Sequence, residues 1–165
     1  MFSESRNGIK LQRSDRFGPL KSVLIGIAVG IPLAAVNVLG AVGGRLELLS
    51  LNDPISPAFR ALSPGISEEV IFRFCLYAFC LCLVRDDLQQ GAVRILCLVT
   101  LVVPHVLLHL PDLLLISPAE AVASFAMLSL LFGLPMALLQ LRRNLVSAMS
   151  LHWFIDFVRF MMVSV

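Results

Sequence analysis

The chain has 165 residues, 58% of them hydrophobic and only 15% charged, with a mean hydropathy of +0.91 and a formal net charge of +2. A soluble domain is about 45–50% apolar and about 25% charged, so an ordinary soluble domain is excluded, and so is the global basic field of a nucleic-acid binder. The expectation is an all-α, polytopic integral membrane helix bundle whose first partner is the lipid bilayer.

Residues 1–21 form a polar, basic tail with Arg6, Lys10, Arg13, Arg16 and Lys21, and residues 22–165 form the membrane domain. The first predicted span runs from Ser22 to Val42. Its length of about 21 residues crosses ~30 Å of hydrocarbon at ~1.5 Å per residue, and it is too long for the apolar core of a cleaved signal peptide. Gly43-Gly44 ends it. A connection rich in proline (Pro54, Pro57, Pro64) follows, with a short interfacial helix expected at Pro57–Leu62.

The second span is predicted from about Ile66 to Val84, ending at Arg85-Asp86-Asp87. The third runs from about Arg94 to Leu110 and contains Pro104, which deletes a backbone donor and should kink it. The fourth runs from about Glu120 to Leu141, closed by Arg142-Arg143, and the fifth from Asn144 to about Val163. Cys75, Cys80, Cys82 and Cys97 all fall in apolar helical stretches and read as small buried side chains, with no disulfide framework.

Five spans group the basic residues by side. The tail, the 85–94 loop and Arg142-Arg143 hold nine Lys or Arg; the opposite side holds Arg45 and Arg60. The positive-inside rule then puts the N-terminus in the cytoplasm and the C-terminus outside. The basic tail also suits anionic headgroups.

Three polar clusters interrupt the apolar spans: Glu68-Glu69 with Arg73, His105 with His109, and His152 with Asp156. Burying such a group in hydrocarbon costs roughly 2.5–3.5 kcal/mol, so three clusters on three spans point to a site. Residues four apart share a helix face. Glu69 can therefore pair with Arg73, while Glu68, about 100° away, stays free as a general base. For this motif the alternative is a pair of helix N-terminal acids favoured by the dipole. His105 and His109 share a face, with a spacing that serves a metal or one catalytic and one packing histidine. No glutamate follows His105, so the zinc-protease H-E-x-x-H helix is absent. His152 and Asp156 can form a local hydrogen bond or act in chemistry.

Glu68-Glu69-x-x-x-Arg73, His109-Leu110-Pro111 and His152-x-x-x-Asp156, in that order on separate spans, resemble the CAAX prenyl endopeptidase and bacteriocin-processing (Abi) intramembrane protease family. The segment from Phe132-Gly133 through Arg143-Asn144-Leu145 to His152 also looks like the family's lead-in to its third motif. The likeness covers about residues 60–160. It implies a glutamate-type intramembrane endopeptidase in a bacterial inner or plasma membrane, acting on a membrane-associated peptide or protein. By the resemblance, Glu68 and His109 activate water, His152 and Asp156 stabilise the oxyanion, and Glu69 and Arg73 support them.

As an ionised carboxylate Asp156 only accepts hydrogen bonds, so orienting His152 suits it better than donating to an oxyanion. Some bacterial members of the family serve in bacteriocin immunity or as scaffolds, which makes a non-catalytic membrane factor the second reading. A metal or proton carrier is a third, against which stands the lack of repeated halves.

Two departures from the family pattern stand out. The family usually has Phe where this chain has His105, and fuller members carry more spans before the first motif, which leaves a thinner cavity wall or one completed by a second copy. No cofactor is expected. The rival is zinc held by His105, His109 and His152 with Glu68 as base; a metal-free mechanism would instead tolerate Phe at position 105.

Overall fold

A computed structural model describes residues 18–42, 54–84 and 91–162, and these are helical apart from short links. The basic residues of the tail up to Arg16, the Gly43-Gly44 stop, Arg45 and the Arg85-Asp86-Asp87 turn lie outside the described residues. Helix α1 spans Gly18–Val42. Helix α2 (Ile55–Glu68) continues through a π-helical segment, Glu69–Cys75, into α3 (Leu76–Val84). Helix α4 spans Gly91–Leu107 and a single short helix, α5, spans Pro111–Ile116. Helix α6 (Pro118–Leu128) passes through a second π segment, Ser129–Gly133, into α7 (Leu134–Arg142), and α8 covers Leu145–Met162.

Among the described residues the result is five rods, one for each predicted span, in an all-α membrane bundle. Gly18–Gly40, Pro118–Arg142 and Leu145–Met162 are each long and apolar enough to cross a membrane, and Gly91–Leu107 is a shorter apolar helix. Large apolar side chains such as Leu24, Ile31, Phe79, Leu83, Ile95 and Leu130 stay on the outside, as expected where the solvent is lipid.

Three expectations change. Pro57–Leu62 is no separate interfacial helix, because it belongs to the rod that runs unbroken from Ile55 to Val84. Pro57 falls in the first turn, where a backbone N–H has no intrahelical partner to lose. Glu68 therefore lies about 20 Å along its rod, near the middle, rather than close to the start of a span that begins at Ile66. Pro104 sits in the last turn of α4, which stops at Leu107. Cys75 and Cys82 face outward, whereas Cys80 and Cys97 are buried together, and all four are free.

Helix α8 is the central rod, packed against α1, α2 and α7. Small residues make that possible. On α1, Ser22, Gly26, Gly30, Ala34 and Val38 recur every four residues and are buried. A Cβ on Gly26 would collide with the Ser147 carbonyl, and one on Gly30 would come within 2.9 Å of the Phe154 ring. On α2, Pro57, Ala61 and Gly65 form the equivalent stripe, with Gly65 against Trp153, whose Nε1–H donates to the Ala58 carbonyl at 2.9 Å. Without a water-driven hydrophobic term between helices in lipid, such close approach supplies the packing. It brings His152 on α8 beside the glutamates of the second rod.

Candidate active site

The Glu68-Glu69-x-x-x-Arg73 motif straddles the change from α2 to the π segment. In a π turn the backbone bonds reach five residues back, as the Leu76 N–H does to the Ile71 carbonyl, and such turns recur at functional sites. The Arg73 carbonyl accepts a hydrogen bond from Gln140 Nε2 on α7 at 2.6 Å, tying the turn to its neighbour.

Glu69 and Arg73 are fully buried and paired, with Nη1 of Arg73 3.0 Å from Oε1 of Glu69. The same oxygen accepts from His152 Nδ1 at 2.9 Å. Arg73 Nη2 contacts His105 Nδ1 at 2.9 Å and Met136 Sδ at 3.6 Å. A buried ion pair is tolerated best when further hydrogen bonds satisfy its remaining groups; here His152 and His105 supply one each, while among the described residues Glu69 Oε2 and Arg73 Nε have none.

The other side of the cluster is open. Glu68 is partly exposed, and its Oε2 lies 2.8 Å from His105 Nε2, 3.7 Å from His109 Nε2 and 3.9 Å from His152 Nε2. His109 is half exposed. Asp156 Oδ2 is 3.5 Å from His152 Nε2. A cavity of about 270 Å³ opens here, lined by His105 and His109 from α4, Phe132 and Gly133 from the second π segment, and His152, Asp156 and Arg159 from α8. Gly133 lets the second π segment approach α4: a Cβ there would sit 2.8 Å from Val102.

All seven site residues named from the sequence thus meet in one place. Their partners differ in two respects from the sequence reading. His152 is held most closely by Glu69, at 2.9 Å, with Asp156 further away at 3.5 Å. Glu69 is shared between Arg73 and His152 rather than committed to Arg73 alone. The sequence reading missed Gln140 and also Asn37, a cavity-lining residue of α1. Both are polar side chains within predicted spans, the signal that picked out the histidines.

The hydrogen-bond roles fix one tautomer. A guanidinium N–H can only donate, so His105 Nδ1 accepts from Arg73 and the proton of the neutral ring sits on Nε2. That Nε2–H donates to Glu68. Glu68, His105 and His109 offer ligand atoms within 4.8 Å of one another, close enough to hold an ion. With its proton on Nε2, however, His105 has no lone pair there to give a cation, and the set does not fit a metal as its hydrogen bonds stand.

Among known proteins, the family model described as Rce1-like, type II CAAX prenyl endopeptidase, matches residues 51–158. No curated protein and no solved structure matches the chain.

Proposed function

The chain belongs to the Rce1-like family of type II CAAX prenyl endopeptidases, membrane proteases, and from that premise we propose a glutamate-type intramembrane endopeptidase whose water is held by Glu68 and His109. The observation that carries this reading is that Glu68 Oε2 lies 3.7 Å from His109 Nε2 and 3.9 Å from His152 Nε2, two histidines that line one cavity from separate rods. Glu68 takes a proton from the water as its oxygen attacks the carbonyl carbon of the scissile bond. His152, protonated on both nitrogens between Glu69 and Asp156, donates from Nε2 to the oxyanion that forms. When the C–N bond breaks, the proton held by Glu68 passes to the departing amine.

No step requires a metal. A hydrolytic zinc site wants three protein ligands and an open position. In the group Glu68, His105 and His109, His105 is committed to Arg73 and Glu68, and using Glu68 as a ligand would take it from its role as base. The substrate is a peptide or protein segment presented at the membrane, and the N-terminus lies in the cytoplasm with the C-terminus outside. Labelling cysteines introduced after Leu88 and after Asp112 from each side tests that orientation; external labelling of the 85–94 loop overturns it.

The deciding experiment is turnover of a peptide library by the purified protein in detergent, with and without chelator. Cleavage unaffected by chelator supports the proposal. Loss on chelation, restored by zinc, assigns a metallopeptidase instead. Absence of turnover with folded protein assigns a non-catalytic membrane factor.

A further inference from the structure

His105 occupies the position where the family usually has phenylalanine. We propose that it is a positioning residue, one that transmits the fixed orientation of Arg73 to the carboxylate of Glu68. The proposal rests on the reading of Glu68 as the base.

The geometry is a chain of donors running in one direction. Arg73 is fully buried and is held by Glu69 at 3.0 Å. Its Nη2–H donates to His105 Nδ1 at 2.9 Å, and His105 Nε2–H donates to Glu68 Oε2 at 2.8 Å. The imidazole is itself buried and caged by three rings, with centroids 5.3 Å away for Phe72, 5.1 Å for His109 and 5.6 Å for His152. It can neither tilt nor exchange its tautomer without breaking the bond from Arg73. The two adjacent glutamates are thereby joined through one arginine and one histidine, although their side chains serve different surroundings.

For the reaction this has a specific consequence. Among the described residues, Glu68 is engaged by histidines through Oε2, so the proposal assigns the role of base to Oε1. When Oε1 takes the proton, Oε2 still accepts from His105. The ring donates throughout and never takes up a proton, because Nδ1 is occupied by a group that cannot accept one. His105 therefore selects which oxygen of Glu68 is the base and holds it at the angle the water needs. Phenylalanine at this position fills the space but leaves Arg73 Nη2 and Glu68 Oε2 each short of a hydrogen bond, so His105→Phe is not the neutral change that the family pattern alone suggests.

The test combines a spectroscopic and a kinetic readout. The chain has three histidines, so 15N spectra of histidine-labelled protein in detergent can be assigned with single variants. The expected signature for His105 is a protonated Nε2 and an unprotonated Nδ1 that changes in Arg73→Lys. Protonation on Nδ1 overturns the proposal, and this readout does not depend on turnover.

In peptide cleavage, His105→Phe is expected to lower kcat about ten- to a hundredfold, the usual range for groups that orient a reacting ligand, with KM unchanged. His105→Gln should recover most of the loss, because its amide can accept from Arg73 and donate to Glu68. Wild-type kcat in His105→Phe, or a glutamine variant no better than phenylalanine with both folded, overturns it. If the wild-type protein cleaves nothing, the proposed peptidase function falls, and the tautomer spectrum alone upholds or overturns the coupling of Arg73 to Glu68.

Discussion

Glu68 and Glu69 are adjacent in sequence and occupy different worlds. Glu69 is fully buried and shares one oxygen between Arg73 and His152. Glu68 is partly exposed and lies 3.7 Å from His109, which lines the cavity together with Asp156. The inner layer is closed, since both of its charges are fully buried and paired with each other. The outer layer is looser, with contacts of 3.5–3.9 Å beside a cavity of about 270 Å³. The difference teaches how a helix bundle can hold buried charge: an ion pair sits behind, and the partly exposed carboxylate is held through an imidazole rather than through a countercharge of its own.

The sharpest way to break this comparison is to neutralise each glutamate in turn. Glu68→Gln keeps shape and removes the proposed base, so cleavage should fall by about 10²–10⁴-fold with thermal unfolding unchanged. Glu69→Gln should lose activity and lower the unfolding temperature together, because Arg73 and His152 both lose their anionic partner. Retained activity in Glu68→Gln with loss in Glu69→Gln would reverse the roles of the two layers.

Arg73→Leu probes the closed layer directly. It leaves Glu69 buried beside His152 alone and removes the donor to His105 Nδ1. Breaking a buried pair by removing one partner costs on the order of 3–5 kcal/mol, so thermal unfolding in detergent should shift strongly downward along with activity. Unfolding at the wild-type temperature would mean that the inner layer contributes nothing to the fold and that the contrast with Glu68 is only one of exposure.

Much of this division was legible in the sequence because charge in hydrocarbon is costly enough to leave few accidental positions. Five apolar stretches gave the five rods, and the helical spacing of Glu69 and Arg73 gave their pair. The depth of Glu68 was not legible. Pro54, Pro57 and Pro64 read as a connection, whereas Pro54 precedes and Pro57 falls within the first helical turn, where a proline costs little, and Pro64 lies inside the helix that begins at Ile55. Neither π segment had a signal, since an i→i+5 turn changes no apolar period over so few residues. The small-residue stripe of α1 was present at four-residue spacing and announces a close helix contact, but not which helix fills it. The tautomer of His105 depends on a guanidinium 32 positions away in the chain, and no local pattern carries that.

Asn144 sets the scale for a buried polar contact that has no part in the chemistry. It precedes α8, and its Oδ1 accepts from the backbone N–H of Ser147 at 2.9 Å and from Ser147 Oγ at 3.0 Å, the arrangement of a helix N-cap. Its Nδ2 donates to Ser22 Oγ on α1 at 2.8 Å, and that hydroxyl donates onward to the Gly18 carbonyl. The group joins the start of α8 to α1 about 12 Å along the helix from His152. Asn144→Ala removes the cap and the link together, at a cost of about 1–2 kcal/mol, less than the loss expected for Arg73→Leu. Asn144→Asp keeps the cap acceptor and loses the donor to Ser22, so it should fall between Asn144→Ala and the wild type. Thermal unfolding should rank the three proteins in that order while kcat stays unchanged. A fall in kcat for Asn144→Ala as large as that for His105→Phe would mean that the position of α8 as a whole, rather than the hydrogen bonds around Glu68, sets the rate.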